Sequence, residues 1–221
     1  RFQSKHAGIH HFDEKHRAPN ASAIRLRTQQ NSRIHKTHNR ILLMNYQAII
    51  DKFYPEDNEL KHILMVHSRQ VADKALSIVD KHPELRANRQ FVEEAAMLHD
   101  IGIFRCQADG IQCFGTKPYI CHGTIGAQLL RDLGFPQHAR VCERHTGTGI
   151  SLQQIIERNL PIPQKDLMPE TIEEIIICYA DKFFSKTKLN IEKTQEQAVL
   201  SLAKFGEEGV ERFYRWAELF K

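Results

Sequence analysis

From Glu59 to His82 the chain runs without a glycine or a proline. Its inward positions fall three and four apart, at Ile63 or Leu64, His67, Val71, Ala75 and Ile78. That period describes a long helix with one face toward a core. Asn58 can cap its start, and Pro83 ends it. A helix of this length leaves its neighbours little choice but to pack along it. It also sets an imidazole, His67, on the buried face.

The segments that follow repeat the pattern. "NYQAIIDKFY" before it reads as a short helix stopped by Pro55. "NRQFVEEAAMLHD" reads as a helix capped by Asn88, with Phe91, Ala95 and Leu98 inward. Gly102 and the stretch from Arg105 to Pro118 read as a loop. "YICHGTIGAQLLRDLG" is a helix closed by Gly134, and "FPQHARVCERHTG" is one with Pro136 in its first turn. "SLQQIIERN" is a short helix before the proline-rich loop "LPIPQKDLMP". "PETIEEIIICYADKFFSK" is a buried helix started by Pro169, and two amphipathic segments lead to Lys221. Nothing alternates like a strand for long, so the expected class is all-α.

The formal charge of +4 on 221 residues hides an asymmetry. Residues 1–43 carry nine Lys or Arg against two Asp or Glu, leaving 22 basic and 25 acidic side chains in the remainder. The basic balance thus belongs to the N-terminal stretch, and nothing in the body calls for nucleic acid. Residues 1–43 hold six of the 13 histidines, few large apolar residues and no sustained period, so they are expected to be disordered. They suit a transit peptide, a basic arm for nucleic acid, or upstream sequence ahead of a start at Met44, and the opening on Arg1 favours the last. Residues 44–221 are expected to form one helical domain, with its core over 59–188 and C-terminal helices over 189–221. The odd set Cys106, Cys113, Cys121, Cys142 and Cys178 has no CxxC pair, which fits a reducing cytoplasm rather than a disulfide framework. No apolar run approaches the roughly 20 residues that span a bilayer. Self-association into a homodimer stays open.

Taken singly, each histidine of the body is better read as a satisfied core or surface residue. As a set they say more. His67, His99, His122 and His145 each sit on a different expected helix, on or beside its apolar face. Asp100 adjoins His99. Asp181 lies within "IIICYADKFF", where a carboxylate is costly unless paired or bound to a metal. Imidazole nitrogens and carboxylate oxygens are ligands for divalent zinc, iron, manganese and nickel. Four imidazoles and two carboxylates are too many for one ion that keeps an open position, and suit two ions bridged by a carboxylate and a water.

The ordered series "VHSRQVADKAL", "AAMLHDIG", "CHGTIGAQLL", "ERHTGTG" and "YADKFF" resembles the HD-domain phosphohydrolase superfamily over roughly Glu59 to Ser185. The histidines of "CHG" and "RHTG" resemble its two-metal branch, and bacterial dinucleoside tetraphosphate hydrolases show a similar pattern. The resemblance implies a helical bundle with the metal site between its central helices. It implies His67, His99, Asp100 and Asp181 as ligands of a first metal, Asp100 as bridge, and His122 and His145 completing a second site. With a single metal, His122 and His145 would contact substrate phosphate instead. Some members carry a lysine just after HDIG. Here Ile103, Phe104 and Arg105 follow, so that role is in doubt and Arg105 is an alternative to a solvated loop residue.

Bound metal lowers the pKa of its water to roughly 7. No protein nucleophile is then needed, and phosphoryl transfer asks mainly for positioning and positive charge. Arg144, Lys182 and Lys186 are candidate phosphate contacts, with Thr146 and Thr148 as hydroxyl donors, each with a reading as an ordinary helix-end or surface residue. "HTGTG" lacks the spacing and lysine of a phosphate loop. His138, Cys142 and His145 share a helical face, yet Cys142 is better read as a small core residue than as a zinc ligand. The expectation is a metal-dependent phosphohydrolase acting on a nucleotide or another small phosphate ester. The competing class is a module that senses nucleotide or phosphate without turnover. The Arg105–Pro118 and Leu160–Pro169 loops are expected to set the substrate.

Overall fold

The computed structural model describes residues 44–221, and the expectations for residues 1–43 lie outside the described residues. The helices are α1 (Tyr46–Phe53), α2 (Glu59–Lys81), α3 (Arg89–Leu98), α4 (His122–Asp132), α5 (Pro136–Arg144), α6 (Leu152–Glu157), α7 (Ile172–Asp181), α8 (Gln195–Ala203) and α9 (Glu207–Leu219). The expected caps are in place. The side chains of Asn58 and Asn88 accept the backbone N–H groups of Lys61 and Phe91 at 3.1 Å, satisfying donors that the first turn leaves free. Gly134 closes α4 with a left-handed φ of 85°, and Pro136 opens α5.

Helix α2 is the spine. Leu64, His67, Ser68, Val71, Ala72 and Ala75 are all buried along one side, where α3 and α7 pack. α5 lies against α3, α4 and α7. On α3 Ala95 and Leu98 are buried as expected, together with Val92, Ala96 and Met97, while Phe91 is half-buried with its ring edge-on to His138. One apolar cluster runs from Ile49 on α1 to Phe213, Trp216 and Ala217 on α9. No helix among the described residues is long and apolar enough to cross a membrane.

Two local structures differ from the expectation. The Arg105–Pro118 loop contains a small antiparallel hairpin, β1 (Gln107–Ala108) with β2 (Cys113–Phe114), set between single 3-10 turns. It adds only these short strands to a helical fold. The helix expected through Lys186 ends at Asp181, and its cap is Thr171, in a reciprocal box with Glu174, rather than Pro169. Beyond Asp181 the bonds tighten: Phe183 N–H donates to Ala180 O and Phe184 N–H to Asp181 O, both at 3.2 Å. This tighter turn carries the chain back toward the centre of the bundle, with Lys186 facing Asp100.

Candidate metal centre

Five of the six candidate ligands sit where a helix begins or ends. His99 and Asp100 follow the last turn of α3, His122 opens α4, His145 caps α5, and Asp181 ends α7; only His67 lies mid-helix. Close backbone approaches make this convergence feasible. A Cβ on Gly102 would stand 2.3 Å from His122 O and 2.5 Å from Gly126 N, so the HD turn presses directly on α4. From the other side, Tyr54 Oη donates to Ile101 O at 2.9 Å and accepts from Phe104 N–H at 3.3 Å. Tyr54 therefore pins the turn from α1, a role with no signal in the local sequence.

The ring orientations follow from a repeated hydrogen bond. His99, His122 and His145 each place Nδ1 at 2.6–2.7 Å from the carbonyl three residues earlier, at Ala96, Tyr119 and Cys142. A carbonyl only accepts, so Nδ1 carries the proton and Nε2 presents a lone pair. Those Nε2 atoms all point at Asp100. Its Oδ2 lies 3.1 Å from His67 Nε2 and 3.0 Å from His99 Nε2. Its Oδ1 lies 3.3 Å from both His122 Nε2 and His145 Nε2. Asp181 Oδ1 closes the first group at 3.0 Å from His67 and 3.5 Å from His99.

These approaches bring lone pairs together rather than donors and acceptors. His67 Nε2, His99 Nε2 and Asp100 Oδ1 have no hydrogen-bond partner although all are buried, and the one cation at Asp100 Oδ2 is the Lys186 ammonium at 2.6 Å. An arrangement of that kind is costly unless a cation sits among the atoms. The donors fall into two groups, His67–His99–Asp100–Asp181 and Asp100–His122–His145, each with its ligand atoms within 4.8 Å of one another. Oxygen and imidazole donors at such spacing are able to hold divalent metal ions.

The protein's own charges act on the same atoms. Burial would raise the Asp100 carboxyl, but Lys186 and the surrounding imidazoles hold it well below the usual carboxylate range. Asp181 is held low against burial by Lys182, His67 and His99. Burial would lower His99, yet Asp100 and Asp181 raise it to about 9, so a proton would compete with a metal ion for its Nε2 lone pair. Burial takes His122 down to about 3 and also lowers His145, so these two rings are neutral donors.

The other candidates are placed less uniformly. Lys186 Nζ lies 2.6 Å from Asp100 Oδ2, and Lys182 Nζ pairs with Asp181 Oδ2 at 2.6 Å while donating to His145 O at 3.0 Å. Arg144 points away, donating to Met168 O and pairing with Glu170 at 2.6 Å, which ties the end of α5 to the loop before α7. Thr148 accepts from Arg212 Nη1 with both its hydroxyl and its carbonyl, at 3.1 and 3.0 Å. Thr146 lines a cavity beside His122. Arg105 is exposed, with its guanidinium 5.5 Å above the Phe104 ring, and makes no contact with the cluster. His138 faces Glu94 at 3.2 Å and the Cys142 thiol faces Leu98 O, so each has a partner of its own rather than sharing one with His145.

Two cavities open on the cluster. One of about 440 Å³ has walls of Ile120, Ile150 and Leu160, with Arg158 and Arg212 among its polar groups. The other, of about 540 Å³, runs from Asp181 past Phe184 to Lys193 and Phe205. Leu202 and Phe205, from the C-terminal part of the chain, border both.

The HD domain family model matches residues 64–185. An uncharacterised protein of Methanocaldococcus jannaschii is 38% identical over 133 residues, covering 60% of this chain and 69% of that protein. Two tRNA (cytidine(56)-2'-O)-methyltransferases are also similar. That of Thermoplasma volcanium is 33% identical over 126 residues, which is 57% of this chain and 32% of the enzyme. That of Picrophilus torridus is 30% identical over 159 residues, 67% of this chain and 42% of the enzyme. The chain thus spans less than half the length of either methyltransferase. The crystal structure of the HD domain of the L. monocytogenes phosphodiesterase PgpH aligns with a TM-score of 0.43 at 18% identity, over 73% of this chain and 95% of that one. With the family match extending from α2 to just past Asp181 and the motif residues gathered around one carboxylate, the chain belongs to the HD domain family, the metal-dependent phosphohydrolase superfamily that its motifs resemble.

Proposed function

We propose that this protein hydrolyses a phosphomonoester or phosphoanhydride bond of a nucleotide or another small phosphate ester, using two divalent ions that share Asp100. The observation that carries the reading is the division of labour at Asp100: one oxygen faces His67 and His99, the other faces His122 and His145. A carboxylate so placed suits a bridge between two ions, with Asp181 completing the first. Iron, manganese, zinc and nickel all suit the donor set. When bound, such ions supply Lewis acidity and a hydroxide at neutral pH.

The chain's own residues supply the rest. The Nδ1–carbonyl bonds of His99, His122 and His145 hold the rings so that Nε2 faces the reacting centre. Lys186 and Lys182 bring positive charge to the edge of the cluster, where it offsets charge on phosphoryl oxygens. Hydrolysis joins water's oxygen to phosphorus, breaks the bond to the leaving oxygen, and leaves a proton on that oxygen. The apolar walls and two arginines of the 440 Å³ cavity support a ring-bearing leaving group such as a nucleoside. The methyltransferases match over too little of their length for their activity to be carried to this chain.

Elemental analysis of anaerobically purified protein, followed by a screen of phosphomonoesters, nucleotides and dinucleotides, tests the proposal. Metal together with turnover supports it. Metal and nucleotide binding without turnover of any member would favour a sensing module and overturn the hydrolase.

A further inference from the structure

Three ammonium groups, those of Lys182, Lys186 and Lys193, stand on the wall of the 540 Å³ cavity. Two have carboxylate partners, since Lys182 pairs with Asp181 and Lys186 with Asp100. Lys193 does not. Among the described residues no carboxylate lies in ion-pair range of it, and its Nζ donates only to Lys182 O, at 3.4 Å. The neighbouring carboxylate of Glu192 is turned to Lys74 at 2.7 Å. Burial pulls the Lys193 ammonium below its ordinary range and Lys182, Lys186 and Lys204 add to this, against Asp181. A half-buried cation crowded by like charges destabilises the fold, and an anion in the cavity would relieve it. Ser185 places a hydroxyl on the same wall, where it accepts from Thr187 N–H at 3.3 Å, whereas the Ser201 hydroxyl donates to Gln197 O at 2.9 Å.

We propose that Lys193, with Ser185, forms a subsite for a second phosphate, so that the preferred substrate carries one phosphate over the His/Asp cluster and another on the lysine wall. The word substrate rests on the phosphohydrolase reading, while the subsite itself does not. The second phosphate is either joined to the first as an anhydride or borne elsewhere on the same small molecule. The same cavity joins Asp181 to Lys193, which gives both groups a continuous path.

The test is calorimetric titration of the metal-loaded full chain with methylenediphosphonate and with methylphosphonate, neither of which is hydrolysed. The diphosphonate is expected to bind at least about tenfold more tightly, consistent with one added charge-assisted contact. Lys193→Met should collapse that preference and Lys193→Arg should restore most of it, with matching circular dichroism for all three proteins. Equal affinities in the wild type, or an undiminished preference in Lys193→Met, would overturn the subsite. Repeating the titration with adenosine 3′,5′-bisphosphate against adenosine 5′-monophosphate separates the two arrangements of the second phosphate. Turnover is scored independently. A preference that persists in a chain inert toward every phosphoester keeps the subsite and removes the hydrolase; turnover without any preference does the reverse.

Discussion

The Nε2 atoms of His122 and His145 face each other at 3.0 Å, and neither carries a proton. Both rings spend their proton on a main-chain carbonyl, so the contact brings two lone pairs together beside Asp100 Oδ1. Two buried acceptors in contact imply a cation between or beside them.

That relationship separates the two halves of the centre. His145→Ala removes a donor from the second group only, whereas Asp100→Ala removes the donor common to both. Metal analysis should therefore find about half the wild-type content in His145→Ala and almost none in Asp100→Ala, each with near-wild-type helicity. Both variants should lose turnover. An unchanged metal content in His145→Ala would leave a single-ion centre, with His122 and His145 as phosphate contacts.

The backbone contact under the centre gives a second expectation. Gly102→Ala places a Cβ 2.3 Å from His122 O and 2.5 Å from Gly126 N, both backbone atoms that cannot swing aside. Forcing α4 away from the HD turn should cost about 1–3 kcal/mol, the usual range for overpacking. For a domain of this size that is a fall in Tm of roughly 2–4 °C per kcal/mol. Metal affinity should fall with it, because His122 begins the displaced helix. A Gly102→Ala protein with wild-type Tm and metal content would show that the turn has room to relax.

How much of this was legible in the sequence depends on the range of the interaction. His67, His99, Asp100, His122, His145 and Asp181 are legible only as an ordered set on or beside the apolar faces of successive helices, since each histidine alone reads as an ordinary core or surface residue. The caps at Asn58, Asn88 and Gly134 are local, and they hold. Lys186 could be named as a cation but not paired, since the α7 pattern continues through "DKFFSK" although the backbone tightens after Asp181. Arg144 and Arg105 looked alike as basic neighbours of motif residues. Only the folded positions of Glu170, Met168 and Phe104 tell what they do. The cavity walls depend on Leu202 and Phe205, far along the chain, and no local pattern links them to His122.

Tyr54 belongs to the same long-range class and can be tested alone. Tyr54→Phe keeps the ring in the core but leaves Ile101 O and Phe104 N–H without their shared hydroxyl. Losing a buried hydrogen bond of this kind should cost about 1–2 kcal/mol. If Tyr54 also positions the HD turn, metal affinity should drop by more than the loss of stability alone would produce. Unaltered denaturant midpoint and metal affinity would remove Tyr54 from the supporting structure.

A last expectation concerns acid stability away from the metal centre. His138 on α5 is buried against Phe91 and Phe135 and faces the carboxylate of Glu94 at 3.2 Å. Burial lowers its pKa from the ordinary 6.5, and Glu94 only partly offsets this. In the unfolded chain the same imidazole takes up a proton near pH 6.5, so just below that pH the unfolded state binds more protons than the folded one. Stability then rises with pH across this interval. It is fully present above about pH 6.5 and is lost as the pH falls toward the lowered folded value. Urea midpoints at pH 5.5 and 7.5 measure the effect, and the difference between wild type and His138→Gln isolates it from the other histidines. The wild type should lose more stability between these two pH values than His138→Gln does. Equal losses would mean that Glu94 holds the His138 proton as well in the folded protein as water does in the unfolded one.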